Sequence, residues 1–214
     1  MISRYSVLLF RPTFVGLFAW VLLGCDPEPS YAPLLTDSQV LAFGDSITYG
    51  TGAQPSQAYT EHLSGKTGWQ IVNAGLPGEL ARDAKPRLLS TLEQHRPDAV
   101  ILELGGNDFL RQRSESLVKA DLQALIDVIE ASGARTILMA VPRFSLIRAR
   151  AGALKDSEIY AELAEENGIP LIEEALSKVL SQEEMRADPI HPNAEGYEAL
   201  AESVYQGLLD LRLL

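Results

Sequence analysis

Apolar positions recur along this chain in two periods, and the periods alternate. Residues 40–43 form a short, wholly apolar run, and residues 99–104 and 136–141 form longer, nearly all apolar ones. Residues 69–72 and 169–172 are shorter and mostly apolar. Runs of this length and composition predict strands, and the nearly continuous ones predict strands covered on both faces. Between them the spacing becomes helical. Leu80, Ala84, Leu88 and Leu92 mark a helix over 79–95, and Leu117, Leu122, Leu125, Ile126 and Ile129 mark another, which Gly133 ends. Residues 58–66, 157–166 and 194–209 read as three more helices.

Five strands separated by helices predict an α/β fold. The expected form is a three-layer α/β/α sandwich around a five-stranded parallel sheet, wound by right-handed crossovers. Sites in such sheets form beyond the carboxyl ends of the strands. Ser46, the turn 73–78, Asn107 and the segment after Val141 therefore belong on one rim.

Ahead of this domain, expected over 38–214, the pattern changes. Arg4 and Arg11 flank a charged start, residues 13–23 are apolar, and Gly24 precedes Cys25, the only cysteine. The apolar run suits a signal-peptide core and is shorter than the roughly 20 residues of a membrane span. Residues 1–25 resemble a bacterial lipoprotein signal, which implies cleavage after 24 and a lipid on Cys25. An ordinary cleaved signal or an uncleaved anchor is the alternative. Residues 25–37 hold Pro27, Pro29 and Pro33 without an apolar period and read as an extended tether. The implied location is the bacterial cell envelope, lipid-anchored and facing the periplasm or exterior, or secretion.

Charge narrows the partners. The formal net charge is -11 over 214 residues, which disfavours nucleic acid as a partner. A lone cysteine excludes an intramolecular disulfide. No clustered Cys/His set suggests a metal, no P-loop is present, and Gly50-Thr51-Gly52 lacks the third glycine of a dinucleotide site. Neither a metal nor a cofactor is expected.

Chemistry-bearing residues gather at the strand ends. Ser46 follows Gly44-Asp45 just past the first strand, where a sharp turn can present a hydroxyl; a lone serine there more often caps a helix. His191 lies three residues after Asp188 and before Pro192, so the carboxylate can reach and orient the imidazole; alternatively Asp188 caps the last helix. His62 and His95 fall in or at the end of predicted helices and read as structural. Asn107, in Gly105-Gly106-Asn107-Asp108, offers an amide donor or simply a tight turn. A nucleophile, a base, an orienting acid and an oxyanion donor are the parts needed for acyl transfer through a serine ester.

Gly44-Asp45-Ser46-Ile47, a glycine after Asn73-Ala74, Gly105-Gly106-Asn107-Asp108 and Asp188-x-x-His191-Pro192 resemble the four sequence blocks of the SGNH (GDSL-type) hydrolases. The resemblance is greatest to the bacterial thioesterase I/lysophospholipase and arylesterase group, and residues 100–108 are its most specific stretch. It implies the flavodoxin-like fold of that family, with Ser46 as nucleophile, His191 as base and Asp188 as triad acid. It also implies an oxyanion hole of Ser46, Gly78 and Asn107, with Gly75 the rival for Gly78. The implied activity is hydrolysis of small-molecule or lipid acyl esters or thioesters. A carbohydrate O-acetylesterase and a non-catalytic envelope binding lipoprotein are the alternatives. Residues 142–152 do not match that group's usual version. Phe144, Ile147, Ala151 and Leu154 share helical spacing there, as a helix packed on the core would. Arg111, Arg113, Arg143, Arg148 and Arg150 follow the third and fourth strands, and a collar of these arginines would favour anionic esters.

Overall fold

In a computed structural model of the protein, residues 32–143 and 151–214 are described. Five parallel strands run in the order β2-β1-β3-β4-β5: β1 is Gln39–Gly44, β2 Gln70–Gly75, β3 Ala99–Glu103, β4 Arg135–Met139 and β5 Leu171–Ile172. The central strands are those with unbroken apolar runs. Every residue of β3 is buried, and so are Val40 to Phe43 of β1. β2, at an edge, leaves Gln70 and Asn73 exposed.

Two sets of helices cover the sheet. Helix α2 (Tyr59–Thr67) packs against the closing helix α8 (Ala194–Asp210), which also meets α7 (Ala175–Leu180). On the other side α5 (Glu115–Ala131) packs between α3 (Lys85–His95) and α6 (Ile159–Asn167). The α/β sandwich expected from alternation is the fold observed. Besides α7, two short helices were not legible from spacing, α1 (Ser46–Tyr49) and α4 (Gly106–Leu110). Each begins just past a central strand, β1 and β3 respectively, on the same rim.

The helix expected over 79–95 is shorter than its apolar spacing suggests. It begins at Lys85, and Ala81–Asp83 form a single 3-10 turn before it. Pro86 is the physical reason. Proline lacks an N–H and its ring clashes with the carbonyl four residues back, so it is accepted only in the first turn of a helix. Leu80 and Ala84 still bury their side chains, which is why the apolar period continues past the true helix start.

The last row of the sheet sets the rim. Gly44 lies between Gly75 on β2 and Glu103 on β3. A Cβ at Gly44 would come within 2.7 Å of the Glu103 carboxyl, and one at Gly75 within 2.6 Å of the Tyr49 Cα. Only glycine lets α1 settle directly on the ends of β1 and β2.

Where the stretch expected as a tether is described, it is fastened. The Leu34 N–H donates to the Leu213 carbonyl at 2.9 Å and Arg135 donates to the Ala32 carbonyl at 2.6 Å. Cys25, the signal segment, Phe144, Ile147, Arg148 and Arg150 lie outside the described residues. Among the described residues no helix is long and apolar enough to cross a membrane.

Candidate active site

Ser46 is the first residue of α1, and Asp45 is its N-cap, accepting the Ile47 N–H at 3.0 Å. A first-turn N–H has no acceptor inside its own helix. The Ser46 N–H donates to no acceptor among the described residues. Its hydroxyl meets His191 Nε2 at 2.9 Å.

His191 sits on a closed loop ahead of α8. The Ala187 N–H donates to the His191 carbonyl at 3.0 Å, the Asn193 N–H donates to the Met185 carbonyl at 2.9 Å, and Arg186 bridges Pro192. Asp188 holds the ring from below. Its Oδ2 faces His191 Nδ1 at 2.7 Å, while its Oδ1 accepts the Ile190 and His191 N–H groups at 2.8 and 2.9 Å. Burial pushes the Asp188 carboxyl up, but the bonds from the His191 ring and the two backbone N–H groups outweigh it. The group therefore stays below the usual carboxylate range. An ionised Asp188 keeps the ring proton on Nδ1 and leaves Nε2 free to accept from Ser46. Asp188 does not cap the last helix; Asn193 does, accepting the Gly196 N–H at 2.9 Å.

Asn107, in the first turn of α4, donates one amide proton to Asp45 Oδ2 at 2.8 Å and keeps a second. Gly78 occupies a tight turn closed by the Glu79 N–H on the Leu76 carbonyl at 3.2 Å. With φ +82 just after Pro77, it is the third residue of a type II turn, where glycine is favoured. Its N–H has no acceptor among the described residues. The Gly75 N–H, by contrast, is taken by the Asn73 side chain at 3.0 Å, which separates the two glycines left open by the sequence. Ser46 and His191 open onto an apolar hollow lined by Leu110, Val141, Pro142, Leu176, Leu180 and Ile190.

This geometry coincides with the results of comparison. Residues 42–199 match the model of the GDSL-like lipase/acylhydrolase family. The chain belongs to that family. It is 32% identical over 168 residues to thioesterase 1/protease 1/lysophospholipase L1 of Escherichia coli K12, covering 76% of this chain and 79% of that one. It is 30% identical over 204 residues to an arylesterase of Vibrio mimicus, covering 91% and 98%. The crystal structure of the psychrotrophic esterase EstA of Pseudoalteromonas, inhibited by monoethylphosphonate, superposes with a TM-score of 0.70 at 24% identity, over 81% of this chain and 98% of that one. The protein is thus a GDSL-type esterase/lipase, and its sheet is the sheet of that family.

Two buried acids of this GDSL-type site were not singled out from the sequence. Asp45 was visible only as part of a strand-end motif, yet it links α1 to Asn107. Glu103 was visible as a lone acid in an apolar strand. It is fully buried and accepts the Thr48 hydroxyl at 2.8 Å from the far side of α1. Of the five arginines expected to form a collar, Arg148 and Arg150 lie outside the described residues. Arg113 is spent on Asp108 and on Asp121, the latter at 2.7 Å, and Arg143 lies 3.6 Å from Glu115. His62 and His95 lie in α2 and at the end of α3, away from the Ser46 hydroxyl's partners.

Burial pushes the Asp45 carboxyl from 3.8 up to about 6; the Ile47 N–H, the His191 charge and the Asn107 amide pull it back in part, and Asp108 pushes it further up. Burial, reinforced by the Asp45 charge, pushes Glu103 well up as well. Between about pH 4 and 6 the unfolded chain releases the Asp45 proton while the folded chain retains it. The contribution of Asp45 to stability therefore falls as pH rises through that window. Urea unfolding of the parent and of Asp45→Asn should show a stability difference, parent minus variant, that declines steadily from pH 4 to 6. A difference that is flat or rises over that range would contradict the assignment.

Proposed function

We propose that the protein hydrolyses carboxylic esters or thioesters through an acyl-enzyme on Ser46. The unbroken hydrogen-bonded line from Ser46 through His191 to Asp188, opening onto an apolar hollow, carries this reading. Ser46 Oγ attacks the acyl carbon as His191 Nε2 takes its proton. The developing oxyanion accepts from the Ser46 and Gly78 N–H groups and from the free Asn107 amide proton. The imidazolium, steadied by Asp188, then protonates the departing alkoxide or thiolate. Water attacks the acyl-enzyme with His191 again as base, releasing the acid and restoring Ser46. The apolar hollow suits the acyl chain of a small ester. The named relatives, a thioesterase/lysophospholipase and an arylesterase, support substrates of that class.

The full chain in detergent should hydrolyse p-nitrophenyl esters, and the optimum in a series from acetyl to palmitoyl should define the acyl length. Ser46→Ala should lower kcat by about a thousandfold or more, and Asn107→Ala by about a hundredfold. Turnover that survives Ser46→Ala would overturn the mechanism. An optimum confined to acetyl would favour the carbohydrate O-acetylesterase alternative.

We also propose that Cys25 carries a lipid and holds the domain at a membrane of the cell envelope. The charged start, apolar run and Gly24-Cys25 junction support this. In cell fractionation the parent should sediment with membranes and Cys25→Ser should become soluble or stay unprocessed. Identical fractionation, with masses differing by no more than the sulfur-to-oxygen replacement, would overturn it.

A further inference from the structure

The turn that carries Gly78 has almost no packing of its own. Leu76 is half exposed, Pro77 and Gly78 are exposed, and a Cβ at Gly78 would meet nothing within 4 Å. Yet an oxyanion donor must be held to a fraction of an ångström to favour the transition state. The turn is fixed at its two ends. At the start, the Leu76 N–H donates to the Gly44 carbonyl at 3.0 Å. At the other end, Glu79 turns inward, its side chain 6% exposed, and meets Arg87.

Arg87 stands in the first turn of α3, one residue after Pro86. Its Nε donates to Glu79 Oε1 at 2.9 Å and its Nη2 pairs with Glu79 Oε2. The same guanidinium reaches the strand ends: Nη1 donates to the Ala74 carbonyl at 2.7 Å and Nη2 to the Gly44 carbonyl at 3.3 Å. It lies 3.8 Å above the ring of Phe43, which is fully buried. Gly44 is two residues before Ser46, and Glu79 is the residue after Gly78. One rigid, planar cation thus binds the backbone on the approach to one donor and the side chain just past the other.

We infer that Arg87, paired with Glu79, is a positioning residue that sets the spacing between the Ser46 and Gly78 N–H groups of the oxyanion hole. The inference rests on the Ser46 reading above. A lysine has the charge but not the fork, so it cannot serve Glu79, Ala74 and Gly44 at once. The pair is largely shielded from solvent, so removing one partner strands the other; the double replacement Arg87→Met/Glu79→Gln removes both charges together.

A device that acts on oxyanion donors affects the transition state more than substrate binding. The double variant and Arg87→Lys should each lower kcat on a p-nitrophenyl ester by about tenfold to a hundredfold, with KM within about twofold of the parent. The loss should be non-additive with Gly78→Ala, which disturbs the same donor. A merely structural clamp would lower the unfolding midpoint without this split or this pattern of coupling. Should the double variant fail to fold by circular dichroism, Arg87→Lys carries the same comparison. Parental kcat in folded Arg87→Lys, full additivity with Gly78→Ala, or a change confined to KM would overturn the inference. Ser46→Ala serves as the control. If it is inert while the clamp variants turn over normally, only the clamp falls; if it stays active, the Ser46 reading falls first.

Discussion

Four residues of helix rest on two glycines, and the site follows from that contact. Helix α1 can begin at Ser46 only because Gly44 and Gly75 present bare backbone at the ends of adjacent strands. The close seating puts the Ser46 N–H at a helix start, where it lacks an internal acceptor, and aims the hydroxyl across the rim at His191. It also brings Thr48 onto Glu103 and Asp45 onto Asn107. A methyl group at either glycine would meet backbone atoms or a buried carboxyl that cannot yield. The nucleophile, its neighbours and one oxyanion donor therefore share one packing constraint.

That seating has an electrostatic cost. Asp45, Glu103 and Asp108 are all buried within the rim. Asp108 is compensated by Arg113 and by the Ala81 N–H at 3.0 Å. Among the described residues Asp45 and Glu103 form no ion pair, and burial pushes both toward the protonated form. Buried acids placed around a reactive centre are a recurring exchange of stability for function. Here Asp45 and Glu103 bond α1 and Asn107, while the ring of His191 bonds Asp188 and Ser46.

Much of this was legible in the chain. Strands buried on both faces announce themselves as unbroken apolar runs, so β1 and β3 were clear. The four short blocks placed Ser46, Gly78, Asn107, Asp188 and His191, and the structure links Ser46, Asp188 and His191 by hydrogen bonds. What spacing could not show was where the backbone departs from its period. Leu80 and Ala84 keep a helical rhythm through a segment that Pro86 forbids to be helix, and that release is what frees Glu79 to face Arg87. Partner choice among charges was equally hidden. Arg113 looked like a rim cation until Asp108 and Asp121 claimed it, because a buried acid takes the nearest fork available.

The central claim is that Ser46 is the nucleophile activated by His191. Labelling the full chain with a fluorophosphonate, followed by digestion and mass analysis, tests it most directly. The account predicts one adduct, on the peptide containing Ser46, absent in Ser46→Ala and formed far more slowly in His191→Ala. An adduct on another residue, or ester turnover in a chain that takes up no label at Ser46, would contradict it.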